Sequence, residues 1–276
     1  MNYSKDFSII VPHRNSIDTL PRLFDSIPEE DCIEIILVDN SPVPITKEEI
    51  GINRDYSLFW CDPSRYAGGA RNVGIDHAKG RWLLFADADD YYSENAFACF
   101  KRFKDSQVDI VYTEMGGINS ITGEYSPRGE NYVKLVEEYL SGKSDEWNIR
   151  LHYNSPCCKM VSHELVSKYQ LRYDEIIAGN DAYFSLLTGF YADSIAAVPV
   201  ITYIATVVPG SLTQRKDFAV FKSRFEVDMR SNQFLRRNNL RSHQYRWLGS
   251  LARSCRYGLR AVFEIVRLKF KYILPL

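Results

Sequence analysis

No run of about twenty apolar residues occurs in the 276-residue chain, so no segment is expected to cross a bilayer as a helix. The longest apolar stretch, 195–208, contains Pro199 and many β-branched residues, which suits one strand or two. Residues 1–6 are polar, and no signal peptide is expected there. The six cysteines form no Cys-x-x-Cys pair, and no His or Cys stands at zinc-like spacing around Cys157-Cys158. Reduced, mostly buried thiols of a reducing compartment are expected instead of a disulfide framework. Charge of one sign is lacking too. Lys and Arg number 34 against 35 Asp and Glu, a formal charge of −1, so no nucleic-acid partner is expected. The length allows one large core with room for a second lobe.

Three carboxylates, Asp87, Asp89 and Asp90, crowd into four residues directly after the apolar run Trp82-Leu83-Leu84-Phe85. Such a strand end delivers like charges to one small volume, where they repel unless a cation lies between them. A hard divalent ion is the natural partner, and Mg²⁺ typically brings substrate phosphates with it. A lone Asp-x-Asp is as readily a polar turn, so the surroundings decide. The first 115 residues or so alternate strand and helix. Strands are expected at 7–11, ended by Pro12, and at 34–38, closing on Asp39, with others at 57–61, 81–86 and 108–113. Between them lie a helix with Leu20, Leu23, Phe24 and Ile27 on one face and Asp18 as its cap, a helix opening at Gly68-Gly69, and one capped by Ser93. Unbroken apolar strands in this alternation predict a mainly parallel α/β sheet flanked by helices. Ligands collect beyond the carboxyl ends of such strands. Four polar features fall at those ends: Pro12-His13-Arg14-Asn15, Asp39-Asn40, 62–71 and 87–90. Beyond 115 the pattern loosens, with a turn-rich 116–129, helices at 132–140 and 162–169, and a helix opened by Asn180-Asp181.

The tail is basic. On a helical wheel, Arg246, Arg253, Arg256, Arg260, Arg267 and Lys271 share one arc. Leu248, Leu251, Cys255, Leu259, Val262, Val266, Phe270 and Ile273 lie largely opposite. This is one amphipathic helix, or two with a break near Gly258. It either packs on the domain with a solvated basic face or contacts anionic membrane through 246–274.

Together these elements resemble the family 2 glycosyltransferases of GT-A fold, from Phe7 to about Thr213. Ile9-Ile10-Val11-Pro12-His13-Arg14-Asn15 is similar to that family's opening strand and loop, and Glu34-Ile35-Ile36-Leu37-Val38-Asp39 to its second strand. Gly69-Ala70-Arg71-Asn72-Val73-Gly74 resembles its Ala-Arg-Asn-x-Gly helix, and Phe85 to Asp90 its Asp-x-Asp-Asp segment. Asp181 with Phe184 resembles Glu-Asp-x-x-Phe, and Gly210-Ser211-Leu212-Thr213 a late Gly-Ser-Leu turn. Asn40 stands where a second Asp is common, and Asn180 where Glu is common.

The resemblance implies a GT-A catalytic domain over 1–215, with a nucleotide-binding half at 1–115 and an acceptor half at 116–215, followed by a helical tail at 216–276. It implies inverting transfer of a sugar from a nucleotide-diphospho-sugar, with UDP the family's commoner nucleotide. The acceptor would be a carbohydrate or lipid-linked saccharide, in surface polysaccharide or glycolipid synthesis on the cytoplasmic side of the membrane. Residue by residue, Asp39 would accept from a uracil N3–H, and Pro12 with Arg14 or Asn15 would border the base. Arg71 would lie near base or diphosphate, Asp87 would meet ribose or metal, Asp89 would bind Mn²⁺ or Mg²⁺, and Asp181 would be the general base. A helix N-terminus under Asp181 is expected to keep it ionised and a weaker base. Lys159 is expected either near phosphate or in a surface salt bridge. A processive enzyme is not expected, since the Gln-x-x-Arg-Trp motif is absent. Competing readings fit less well. A nucleotidyltransferase needs a Gly-rich loop after the first strand, and residues 12–19 contain no glycine. A dinucleotide dehydrogenase needs Gly-x-Gly-x-x-Gly there. A non-catalytic nucleotide-binding module would have no need of Arg71, Asp89 and Asp181 together.

Overall fold

The computed structural model describes residues 3–207 and 217–273, so the Gly210 to Thr213 turn lies outside the described residues. Eight strands form one sheet: β1 (Lys5–His13), β2 (Ile33–Asp39), β3 (Ser57–Trp60), β4 (Gly80–Phe85), β5 (Tyr91–Tyr92), β6 (Ile110–Asn119), β7 (Lys159–Ser162) and β8 (Ile195–Val207). Their order is β3-β2-β1-β4-β7-β6-β8-β5. β1, β2, β3 and β4 pair in parallel, as do β6 and β8. β7 runs antiparallel to both its neighbours, and β5 antiparallel to β8. The helices are α1 (Leu20–Asp25), α2 (Lys47–Ile50), α3 (Tyr66–His77), α4 (Ala96–Lys101), α5 (Glu130–Leu140), α6 (Glu146–His152), α7 (His163–Lys168), α8 (Asn180–Tyr191), α9 (Phe218–Arg237), α10 (Leu248–Ser254) and α11 (Leu259–Lys271).

The core follows from the unbroken apolar strands. Ile9, Ile10 and Val11 of β1 and Leu83, Leu84 and Phe85 of β4 are buried, as expected of strands covered on both faces. α3 lies close over β1 because Gly74 has no side chain, and a Cβ there would overlap Ile10. β1 does not end at Pro12. Its residues bond alternately to β2 and β4, and pairing with β4 stops at Ile10 against Phe85. Pro12 therefore sits where the missing N–H would have had no strand partner. Pro199 of β8 likewise falls in the register shift between the Tyr112–Ala197 and Glu114–Ile201 pairs.

Several boundaries differ from expectation. β6 continues to Asn119, through residues expected as turn, because β8 pairs with it along its length. Asp18 lies in a 3₁₀ turn before α1 and does not cap it. α3 begins at Tyr66, ahead of the glycines. α9 falls within the expected helical tail of 216–276, which had no helix bounds of its own before residue 246. Its first turn is capped by Asp217, whose side chain accepts from the Val220 N–H. Leu235 of α9 packs with Leu151 and Leu186, while Phe225 and Met229 pack with Ile265 of α11. α9 is thus a seam between the sheet domain and the last helices. The tail breaks at Gly258, whose φ is 90°.

Candidate active site

Strand ends create the site. β1, β2 and β4 run parallel, so His13, Asp39 and the residues after Phe85 emerge on one edge. The β1–β4 pairing is where the strand order reverses direction, the place where open α/β sheets form a crevice.

Asp39 and His13 organise that crevice's floor. Asp39 Oδ1 accepts from the Ser41 hydroxyl at 2.6 Å, the Ser41 N–H at 3.1 Å and His13 Nδ1 at 3.0 Å, and Oδ2 accepts from the Ile45 N–H at 3.1 Å. Burial raises the carboxyl's pKa, but these four donors outweigh it and the net shift is downward. The Ser16 N–H donates to His13 Nε2 at 3.0 Å, so the ring's proton belongs on Nδ1, facing Asp39. Asn40, where a second Asp is common, donates its amide to the carbonyls of Cys61 (3.2 Å) and Asp62 (2.8 Å). A carboxylate could not make those bonds.

Across the crevice, Arg71 of α3 is buried. It donates to Asp87 Oδ1 at 2.6 Å and to Asn180 Oδ1 at 2.9 Å, and lies 5.3 Å from the Tyr173 ring centroid. Its buried Nε has no partner. Neighbouring Asn72 exchanges two hydrogen bonds with the Tyr173 backbone, 3.0 and 2.8 Å, pinning the segment beneath Arg71. The Asp87 N–H donates to the Tyr203 hydroxyl at 2.8 Å, fixing the turn after β4 to β8.

The acidic cluster is crowded. Asp90 is buried and accepts from the Thr206 N–H (2.6 Å) and hydroxyl (2.9 Å). Burial first, then the charges of Asp87 and Asp89, push it up to about 7. Asp89 is raised by burial and by Asp87, against the pull of Arg128 and Arg22. Asp181 stands in the first turn of α8, yet its pKa is also raised. Burial dominates there, ahead of the opposing charge of Arg71. The expectation of a weaker base at a helix terminus is therefore corrected: desolvation outweighs the helix end.

Two cavities meet at this edge. The smaller, about 590 Å³, is lined by Pro12, His13, Arg14, Tyr66, Asp87 and Asp89, among others. The larger, about 1280 Å³, includes Arg71, Asp87, Asp89, Arg128 and Asp181, and extends to Arg224 and Asp228 of α9 and Arg253, Arg256 and Tyr257 beyond. Asp87, Asp89 and Asn180 line both. Pro12 and Arg14 thus reach the smaller cavity, Arg71 and Asp181 the larger, and Asp87 and Asp89 the junction.

Asp39 and Asn15 line neither. Asp39's carboxylate is already supplied with donors, and Asn15 is a left-handed turn residue (φ 51°) whose N–H donates to Ser41 Oγ at 3.1 Å. Three of Asp39's four donors bond Oδ1, and Oδ2 accepts only from the Ile45 N–H. Lys159 is in neither expected place. It is buried, donating to the Tyr153 carbonyl (3.2 Å) and Ser185 hydroxyl (3.0 Å), and burial pulls it down to about 8. Arg128 and Asp228 belong to no motif in the sequence and reach the cavity only through tertiary packing.

The described residues hold no group of three or more His, Cys, Asp or Glu suited to a metal. Asp89 and Asp87 alone remain, one of them shared with Arg71. That donor set fits Mn²⁺ or Mg²⁺ when substrate phosphates complete the shell. The crowding that raises Asp89 is what a cation would relieve.

Residues 8–170 match the family described as glycosyl transferase family 2. The chain belongs to that family. Its sheet and helices have the GT-A fold: a structure of Staphylococcus aureus TarS 1-349 in complex with UDP-GlcNAc superposes with a TM-score of 0.68 at 18% identity, covering 97% of this chain and 80% of that one. The Pyrobaculum calidifontis mannosyltransferase PcManGT, in complex with GDP-Man and Mn²⁺, gives 0.59 at 15% identity, covering 96% and 74%. Among curated relatives, the succinoglycan biosynthesis protein ExoO of Rhizobium meliloti is 24% identical over 76% of this chain and 63% of its own length. The minor teichoic acid biosynthesis protein GgaB of Bacillus subtilis is 34% identical over 45% of this chain and 15% of its own. The chain therefore spans less than two thirds of these relatives. No helix among the described residues is long and apolar enough to cross a membrane.

Proposed function

We propose that the chain is a glycosyltransferase that moves a sugar from a UDP-sugar to an acceptor hydroxyl, with inversion at the anomeric carbon. The observation that carries this reading is that Asp181, a carboxylate with a raised pKa, shares one cavity with Arg71, Asp87 and Asp89. In this reading the nucleotide lies in the smaller cavity beside Pro12 and Arg14. His13 lines that cavity, and Asp39, Ser41 and Asn15 brace it from outside. The diphosphate faces Arg71 and Arg128, and the acceptor enters the larger cavity.

The acceptor hydroxyl gives its proton to Asp181 as its oxygen bonds to the anomeric carbon. The bond from that carbon to the diphosphate breaks on the opposite face, and the electron pair leaves with the nucleoside diphosphate. Arg71, held by Asp87 and Asn180, and Arg128 supply positive charge to the departing group. A Mn²⁺ or Mg²⁺ ion held by Asp89 with Asp87 would add Lewis-acid neutralisation of the same charge. The relatives' names, a succinoglycan and a minor teichoic acid biosynthesis protein, support an acceptor in surface polysaccharide assembly. In this reading the acceptor is a saccharide, free or lipid-linked, met at the inner face of the cytoplasmic membrane.

Thermal shift with UDP, GDP, dTDP and CMP, each with and without Mn²⁺, tests the donor assignment. A Mn²⁺-dependent rise with UDP is expected, and loss of the Mn²⁺ dependence in Asp89→Ala. Asp181→Asn should keep the rise and lose transfer by about a hundredfold or more. Wild-type transfer in that variant would remove Asp181 from the chemistry. The absence of any nucleotide-induced shift would count against the donor site.

A further inference from the structure

The last helix is apolar on two opposite sides. At about 100° per residue, Ala261, Ile265, Leu268 and Tyr272 fall on one side of α11. Ala261 and Ile265 are buried, and Ile265 packs on Phe225 and Met229 with Leu268 and Tyr272 alongside. Leu259, Phe263, Val266 and Phe270 fall on the opposite side. Leu259 is 89% exposed, Phe263 80% and Phe270 57%. Burial on the inner side anchors the helix to the body, so the outer side is presented rigidly.

Charge says what the outer side fits. Residues 246–273 contain seven Lys and Arg and one acid, Glu264, in a chain whose net charge is −1. Glu264 turns one carboxylate oxygen toward the body, where it pairs with Lys222 of α9 at 2.7 Å, and its other oxygen lies 3.8 Å from the largely exposed Arg260. Arg260 and Arg267 flank the exposed strip on one side and Lys269 on the other, while Arg253 and Arg256 precede it. An apolar strip bordered by cations matches the boundary between acyl chains and anionic headgroups. Thirteen residues are too short to span a bilayer, so the helix would lie along its surface. A second copy is a poorer occupant, because a two-fold contact through this strip would bring the same arginines together.

We propose that the outward side of α11, Leu259, Phe263, Val266 and Phe270 with its flanking cations, docks on anionic lipid membrane. Docking brings the adjoining cavity wall, Arg256 and Tyr257, to the bilayer surface. Granting the transferase reading above, an acceptor carried on a lipid would enter there.

The test is co-sedimentation of the full chain with vesicles of phosphatidylcholine alone and of phosphatidylcholine with phosphatidylglycerol. Preferential binding to the anionic vesicles is expected, weakening with added salt. Leu259→Glu/Phe263→Glu should cut it about tenfold or more while leaving Tm unchanged, since both side chains are exposed. Arg260→Glu/Arg267→Glu should remove the lipid-charge preference. Absence of vesicle binding, or equal binding by the variants, overturns the proposal. So does a wild-type dimer in light scattering that the Leu259/Phe263 variant dissociates, which would assign the strip to a second copy. Nucleotide-induced thermal shift in the same variants reads the donor site separately, so failure of docking leaves the transferase reading intact.

Discussion

Between the ends of β1 and β2, a single proton is positioned by three groups. The Ser16 N–H occupies His13 Nε2, which leaves Nδ1 as the donor to Asp39. His13→Ala removes both bonds and orphans the Ser16 N–H. A loss of about 1–3 kcal/mol in denaturant unfolding is expected, with a smaller nucleotide-induced thermal shift. Asp90 sets a pH dependence. Its carboxyl is raised in the folded state, so the folded protein binds the proton more tightly than the unfolded chain. Asp90's contribution to stability is then fully present below its ordinary value near 4 and is lost as pH climbs to about 7. In Asp90→Asn, Tm should change less between pH 5 and pH 8 than in the wild type. A variant whose Tm falls as steeply as the wild type would show that the acidic crowding is relieved elsewhere.

At the scale of elements, periodicity was a good guide where a segment's partner was close in sequence. The buried runs of β1, β2 and β4 and the helices α3, α5, α7 and α8 were legible within a few residues, because their apolar patterns reflect burial by immediate neighbours. β7 and the far half of β6 were not. β7 is a four-residue strand between β4 and β6, which are distant in the chain. The extension of β6 is imposed by β8, more than eighty residues away. α9 lies in the expected helical tail, but its bounds and packing face were not legible, because its apolar residues face two bodies, α6 and α8 on one side and α11 on the other, so no single stripe marks it.

The whole molecule joins the sheet domain and the last helices through that seam. The larger cavity is a product of the junction, with one wall from α3 and α8 and the other from α9 and α10. Arg230 pairs with Asp174, and the Tyr245 hydroxyl reaches the Leu151 carbonyl at 3.2 Å, so polar contacts reinforce the apolar ones. The two sides of α11 should respond differently to truncation. Ile265→Ala leaves a cavity against Phe225 and Met229 and should cost about 2–5 kcal/mol. Phe263→Ala should stay within about 0.5 kcal/mol, as expected of an exposed position. Chemical denaturation of the two variants side by side decides it. Equal losses would mean that the outer side is covered in the folded protein.

The sequence alone determined the parallel strand–helix frame and the polar loops at its edge. Both are local consequences of apolar runs and of residues that end them. It also marked Arg71, Asp87, Asp89 and Asp181 by their family-like motifs. Only the tertiary structure decided what those groups do to one another. Asp39's carboxylate accepts from its neighbours, Lys159 is sunk in the core, and Asp181 is raised by burial despite its helix end. Arg128 and Asp228 join the site from segments with no motif. Contacts between residues far apart in the chain, and the desolvation they bring, leave no period or spacing in the sequence from which they could be read.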